Sequence, residues 1–141
     1  MRSEKRRIDG LRDIVKNCED IQSFLSGVSR QAFDSDLRTI KAVLYSLQTI
    51  GEAAIRLDKE EKRRGTDGEL ERLYPQIPWH DVRGMSNFIR HLYDEIDLDL
   101  VWTTAAASIY PVRDAAKQEI ARLEALIEDN PGNIDDEPLS S

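Results

Sequence analysis

Apolar residues recur at three-to-four spacing along most of the chain, and no stretch alternates in the way a half-buried strand requires. Ile8, Leu11, Val15, Cys18, Ile21 and Leu25 form one stripe, which predicts a first helix from about Ser3 to Leu25 with Gly27 as its stop. A longer stripe runs through Leu37, Ile40, Leu44, Leu47, Ile50, Ala54 and Leu57, and predicts a second helix capped by Asp34 or Ser35. Gly51 sits in the middle of it, where glycine costs up to about 1 kcal/mol against alanine. That placement points to a close helix crossing at Gly51, with a dimer contact as one way to make it.

The polar run Asp58 to Arg64 and the Gly65-Thr66-Asp67-Gly68 sequence end this helix. One short turn over Glu69 to Tyr74 precedes Pro75 and Pro78. A third helix is then predicted from His80 to between Asp94 and Asp97, with Trp79 as a packing anchor. Asp97 is a good N-cap for an Ala-rich fourth helix, and Pro111 either opens a fifth helix in its first turn or kinks a continuous one. Val112, Ala116, Ile120, Leu123 and Ile127 supply the last stripe. The expected fold class is all-α, an antiparallel bundle of four to five helices in one domain over residues 1–129. Residues 130–141, acidic and punctuated by proline, read as a disordered tail.

Composition narrows the chemistry. The 141 residues carry a net charge of −7, which argues against a general nucleic-acid coat, because neutralising phosphate needs a positive surface. Any RNA chemistry must use a local basic patch, for which Arg2, Lys5, Arg6, Arg7 and Arg12, or Lys62, Arg63 and Arg64 after the second helix, are candidates beside the plain reading of solvated helix ends. No apolar run approaches the roughly 18 residues of a membrane span, and the basic N-terminus leads into an amphipathic pattern, not a secretory signal. The single Cys18, at an apolar helix position, is expected to be a buried inert thiol, and the cytosol is the natural compartment.

The stretch from Pro78 to Asp97 holds both histidines of the chain. Drawn as an α-helix at about 100° per residue, it places Val82, Met85, Ile89, Leu92 and Ile96 within an arc of roughly 80°. His80, Arg83, Asn87, Arg90, His91 and Asp94 fall opposite. Two imidazoles, two guanidiniums and an amide on one face are unlike the Glu and Lys of an ordinary solvated face. His91 can exchange protons near neutral pH, and nearby arginines can stabilise developing phosphate charge. Together these describe metal-independent RNA cleavage by transfer to the 2′-hydroxyl. On this drawing Asn87 stands one turn before His91, and Asp94 could orient the imidazole. The plain alternative is a structural helix, since a lone helical histidine is more often structural and the arginines can pair with acidic neighbours. Metal binding is not expected, since His80 and His91 are eleven residues apart without a closely spaced third ligand, and no cofactor is expected.

The string Pro78-Trp79, Gly84-Met85-Ser86-Asn87, His91-Leu92-Tyr93, Ile96-Asp97-Leu98 and Val101-Trp102, with Ile50-Gly51-Glu52-Ala53 upstream, resembles the HepT-like branch of the HEPN superfamily. The resemblance covers about residues 5 to 125. It implies an all-helical homodimeric toxin that cleaves RNA in an interface cleft lined by the motif Arg, four residues, His, one residue, Tyr. It also implies a minimal nucleotidyltransferase antitoxin as partner, which neutralises the toxin by transferring AMP to the motif tyrosine. His91 matches the histidine, Tyr93 the tyrosine, and Asn87 the asparagine that commonly follows the arginine. The arginine position is Ser86. Arg90, about 40° round an α-helix from Ser86, and Arg83 on the polar face are the candidate replacements. The alternative is a catalytically weak or inactive helical module that binds a nucleotidyltransferase and nucleotide or RNA.

Overall fold

The structure is a computed structural model that describes residues 2–92 and 96–130, and of 89–92 the backbone only. Among the described residues it is all-α and contains no strand. Helices α1 (Arg2–Leu25) and α3 (Leu37–Arg64) pack antiparallel, as the Arg6–Glu60 and Asp13–Arg56 ion pairs show. Between them, α2 (Arg30–Asp34) is a single turn capped by the Ser29 hydroxyl. The third long rod comprises α6 (Leu98–Thr103), a widened π turn (Thr104–Ser108) and α7 (Ile109–Asp129), and α7 lies along α1. Their apolar stripes meet in one core, with Leu11, Ile14, Ile21, Leu44, Leu47, Ile50, Ile109 and Leu123 buried.

Several sequence expectations are met. The left-handed Gly27 follows α1, Asp97 accepts the Leu100 amide as the N-cap of α6, and Trp79 is buried with its indole N–H donating to the Tyr74 carbonyl. Cys18 is fully buried, and burial pushes its thiol up to about 12, so it is inert near neutral pH. Others need correction. The N-cap of α3 is Asp36, not Asp34 or Ser35, because one carboxylate there accepts both the amide and the hydroxyl of Thr39. Lys62, Arg63 and Arg64 form the last turn of α3, which runs on to a left-handed Gly65. Its polar end stays helical because Glu60 and Glu61 are buried there against α1 and α4 (Glu69–Leu73). At Pro111 the rod is continuous. Pro111 has no N–H, and just before it the Ile109 amide donates five residues back to the Thr104 carbonyl.

The largest correction concerns the third predicted helix. The α-helix α5 (Trp79–Gly84) ends early, and the chain continues as a 3-10 helix over Met85–Leu92. Met85, with φ −61° and ψ −19°, already has 3-10 values. The cause lies across the core. A Cβ built on Gly51 would stand 2.2 Å from the Ser86 nitrogen and 2.8 Å from the Met85 carbonyl carbon, so the 3-10 backbone lies directly on α3. The close crossing expected at Gly51 is therefore made within the chain. Tyr93 to Glu95, and the expected tail beyond Asn130, lie outside the described residues.

Gly51→Ala is expected to cost about 3 kcal/mol or more, since only backbone can yield to the added methyl. Gly84→Ala, which meets nothing within 4 Å, should be neutral or stabilise by up to about 1 kcal/mol. Urea unfolding of the two variants checks the contrast. Glu60 provides a pH test: burial pushes its carboxyl up, but hydrogen bonds from Arg6, Arg63 and Ser3 outweigh this and hold it at about 2. A folded-state pKa below the ordinary 4.5 adds stability that is present above pH 4.5 and lost as pH falls towards 2. The penalty of Glu60→Gln, roughly 1–2 kcal/mol at neutral pH given its partly exposed arginine partners, should shrink across that window in pH-resolved urea titrations.

Candidate functional site

The 85–92 segment is mounted through charges buried at one end of the bundle. Arg7 of α1 is 1% exposed and donates to Glu119 of α7, which is fully buried. The Tyr74 hydroxyl and Arg122 donate to the same carboxylate, and Arg7 and Arg122 also face Glu69. Burial, then the hydrogen bond to Glu119, pushes the Tyr74 phenol up to about 12, so it stays a donor. Glu61 accepts the Leu70 amide, and its carboxyl is raised chiefly by burial. These contacts fix α4 and Tyr74. Through the Trp79 indole they fix the start of α5 as well. A buried ion network contributes little net stability after desolvation, but breaking one member strands the others.

Within the segment, 3-10 geometry regroups the predicted residues. Three residues per turn, about 120° each, put positions 85, 88 and 91 in one row and 87 and 90 in another. Asn87 therefore stands one turn before Arg90, not before His91. The offset between Ser86 and Arg90 becomes about 120° in place of 40°. Asn87 is exposed, while Ser86 is half-buried with its backbone against Gly51. The side chains of Arg90 and His91, and all of Tyr93 and Asp94, lie outside the described residues. His80 is exposed in the first turn of α5. Arg83 pairs with Glu71, to whose Oε1 its Nη1 donates at 2.9 Å. That partner lies in α4, outside the stretch that carries the motif residues.

The proposed basic patches are largely neutralised. Arg7 is buried, Arg12 pairs with Glu124, Lys62 with Asp58, Arg63 with Glu60 and Arg64 with Glu4. Among the described residues, no three His, Cys, Asp or Glu side chains are grouped to hold a metal ion, and no helix is long and apolar enough to cross a membrane. Beside the 85–92 segment lies a cleft of about 390 Å³ between α5 and the π turn. Met85, Phe88, Leu100 and Val112 give it apolar walls, with Asp81, Thr104 and Ser108 at polar positions. Helix periodicity gave no sign of this cleft, since the widened turn that lines it is invisible to a 3.6-residue repeat. Pro111 was the only local signal.

The family model described as "Ribonuclease HepT-like" matches residues 7–126, which takes in the Gly51 crossing, the 3-10 segment and the α6–α7 rod. The chain belongs to the HepT-like family. Among its relatives is "Probable ribonuclease HepT" of Thermococcus cleftensis, 30% identical over 101 residues that cover 72% of this chain and 84% of the relative. "Putative RNase MJ0127" of Methanocaldococcus jannaschii is 29% identical over 122 residues, 86% of this chain and 88% of the relative. "Putative RNase TTE0752" of Caldanaerobacter subterraneus subsp. tengcongensis is 26% identical over 108 residues, 77% and 88% of the two chains. No solved structure matches.

The Arg83–Glu71 pair is partly exposed, with side chains 26% and 40% accessible. A double-mutant cycle of Arg83→Ala and Glu71→Ala is therefore expected to give a coupling of about 0.2–1 kcal/mol in urea unfolding. A coupling well above 2 kcal/mol would show that Arg83 is a structural strut.

Proposed function

We propose that this HepT-like chain is a metal-independent endoribonuclease, the toxin of a toxin–antitoxin pair, with its active centre on the 85–92 segment. The carrying observation is that the chain segment matching the family motif is clamped by its backbone onto α3 at Gly51. A clamped segment positions catalytic groups without relying on a mobile loop. The family match and the ribonuclease names of its relatives support the substrate class, RNA.

In this reading His91 exchanges the proton. As base it removes the proton of the 2′-hydroxyl, whose oxygen attacks the adjacent phosphorus, and the bond to the 5′-oxygen breaks. That oxygen leaves with a proton from the acid form of the histidine or from water, giving a 2′,3′-cyclic phosphate and a 5′-hydroxyl. Arg90 supplies positive charge to the pentacoordinate phosphate, and Asn87, one turn before it, orients the same group. Arg83 adds charge only if it exchanges Glu71 for phosphate. Two copies form a homodimer with the motif segments at a shared cleft. A minimal nucleotidyltransferase antitoxin transfers AMP to Tyr93. The added phosphate brings negative charge beside His91, where substrate phosphate must sit, and so blocks cleavage.

A second reading rests on Ser86, which stands where the motif arginine is expected. Without that guanidinium the chain would be a helical module that binds the nucleotidyltransferase and nucleotide or RNA with little or no cleavage. Expression of the chain alone, as wild type and as His91→Ala, separates the two. The enzyme reading predicts growth arrest that disappears with His91→Ala, and purified Arg90→Ala at least tenfold slower on RNA. Growth unaffected by either form supports the module. Intact mass after incubation with the nucleotidyltransferase and ATP should rise by one or more AMP groups in wild type and not in Tyr93→Phe.

A further inference from the structure

The cleft beside the 3-10 segment has a chemistry of its own, and this inference rests on the RNA-cleaving reading above. Its walls are apolar, formed by Met85 and Phe88 of the segment and Leu100 of α6. Its polar groups are two hydroxyls and a carboxylate. The Thr104 hydroxyl donates to the Leu100 carbonyl at 2.7 Å, and the Ser108 hydroxyl donates to the Thr103 carbonyl at 3.4 Å. The Thr104 proton is thus committed to backbone, which leaves its oxygen lone pairs for a ligand, while the long contact holds the exposed Ser108 proton only loosely. The exposed Asp81 carboxylate, which has no partner among the described residues, adds two more acceptor oxygens. A π turn lines one side, and such turns recur at functional sites because they open the helix surface.

An apolar cleft with the unpartnered Asp81 carboxylate among its lining residues suits a planar ring that carries amino groups on its edge. We infer that the cleft between the 3-10 segment and the π turn is a nucleobase subsite, which takes one base of the RNA substrate and selects bases bearing an exocyclic amino group. Phe88 lines the cleft and supplies an aromatic ring for stacking, and base–aromatic stacking tolerates any base. Selection comes from Asp81, which accepts a hydrogen bond from the 4-amino group of cytosine. Uracil presents a carbonyl at that position, which the Asp81 carboxylate repels, and keeps only its N3–H, one ring atom away, as a donor. Position 91 follows Phe88 in the same row of the 3-10 helix, about 6 Å further along its axis. The subsite therefore lies close beside the backbone that carries the motif histidine. The volume, about 390 Å³, leaves room for a base and its ribose.

The test uses full-length protein and oligoribonucleotides with one cleavable position, matched except for cytidine or uridine beside it. Wild type should cleave the cytidine substrate with kcat/KM roughly tenfold higher. Asp81→Asn, whose amide can donate to the uracil carbonyl, should abolish or reverse that ratio, and Leu100→Ala should raise KM for both substrates. Fluorescence anisotropy of the same oligonucleotides on His91→Ala protein reads the preference without cleavage, so a failure of the ribonuclease reading is told apart from a failure of the subsite. Equal cytidine and uridine values in both assays would overturn the proposal, as would a preference unmoved by Asp81→Asn. It is also overturned if Leu100→Glu turns a dimer into a monomer in sedimentation, which would mean that a second copy covers the cleft.

Discussion

Everything that gives this chain a site depends on one backbone-to-backbone approach, Ser86 against Gly51. An α-helix in mid-bundle normally keeps its neighbour at side-chain distance. Here the absence of a single Cβ lets the next segment descend onto the helix itself. The segment that does so lies within residues 7–126, the span that matches the HepT-like family. Its narrow 3-10 form and its proximity to α3 belong together: a 3-10 coil has a smaller radius, and the missing Cβ gives it a place to rest. The helix-propensity cost of Gly51 is offset by burial of Val82 and Met85, just before the contact in the chain.

The second constraint is electrostatic. Arg7, Glu69, Tyr74, Glu119 and Arg122 come from three helices and the turn after α4, and they share charge in a place with little water. Arg7 leaves its Nε and Nη1 without a hydrogen-bond partner, so the network is not perfectly satisfied. Such a network specifies an arrangement more than it stabilises one. What it specifies is where α4 ends and α5 begins, and therefore the angle at which the chain enters the Gly51 crossing.

The long helices were legible because their stripes are long: three-to-four spacing over more than twenty residues outweighs local irregularity in α1 and α3. Gly51 was legible as a crossing because glycine in mid-helix is costly unless a neighbour needs the space. What failed was the period. From Gly84 onward the sequence reads as α-helix, yet tertiary contact makes it 3-10. A wheel drawn at the wrong angle then misassigned Asn87 to the row of His91 and set Arg90 too near Ser86. Charge partners were equally hidden, since Glu71 lies twelve residues from Arg83 and Glu119 lies far from Arg7 in sequence. The family resemblance was carried by residues around Gly51 and by a string from Pro78 to Trp102, of which the 3-10 segment is one part. The family match over residues 7–126 agrees with it.

The central claim is that this clamped segment carries metal-independent cleavage through the 2′-hydroxyl. The most direct measurement is the chemistry of the RNA ends that the purified protein produces in the presence of excess EDTA. The account predicts undiminished cleavage leaving 2′,3′-cyclic phosphate and 5′-hydroxyl ends. Cleavage that stops on chelation, or that leaves 5′-phosphate and 3′-hydroxyl ends, would contradict it.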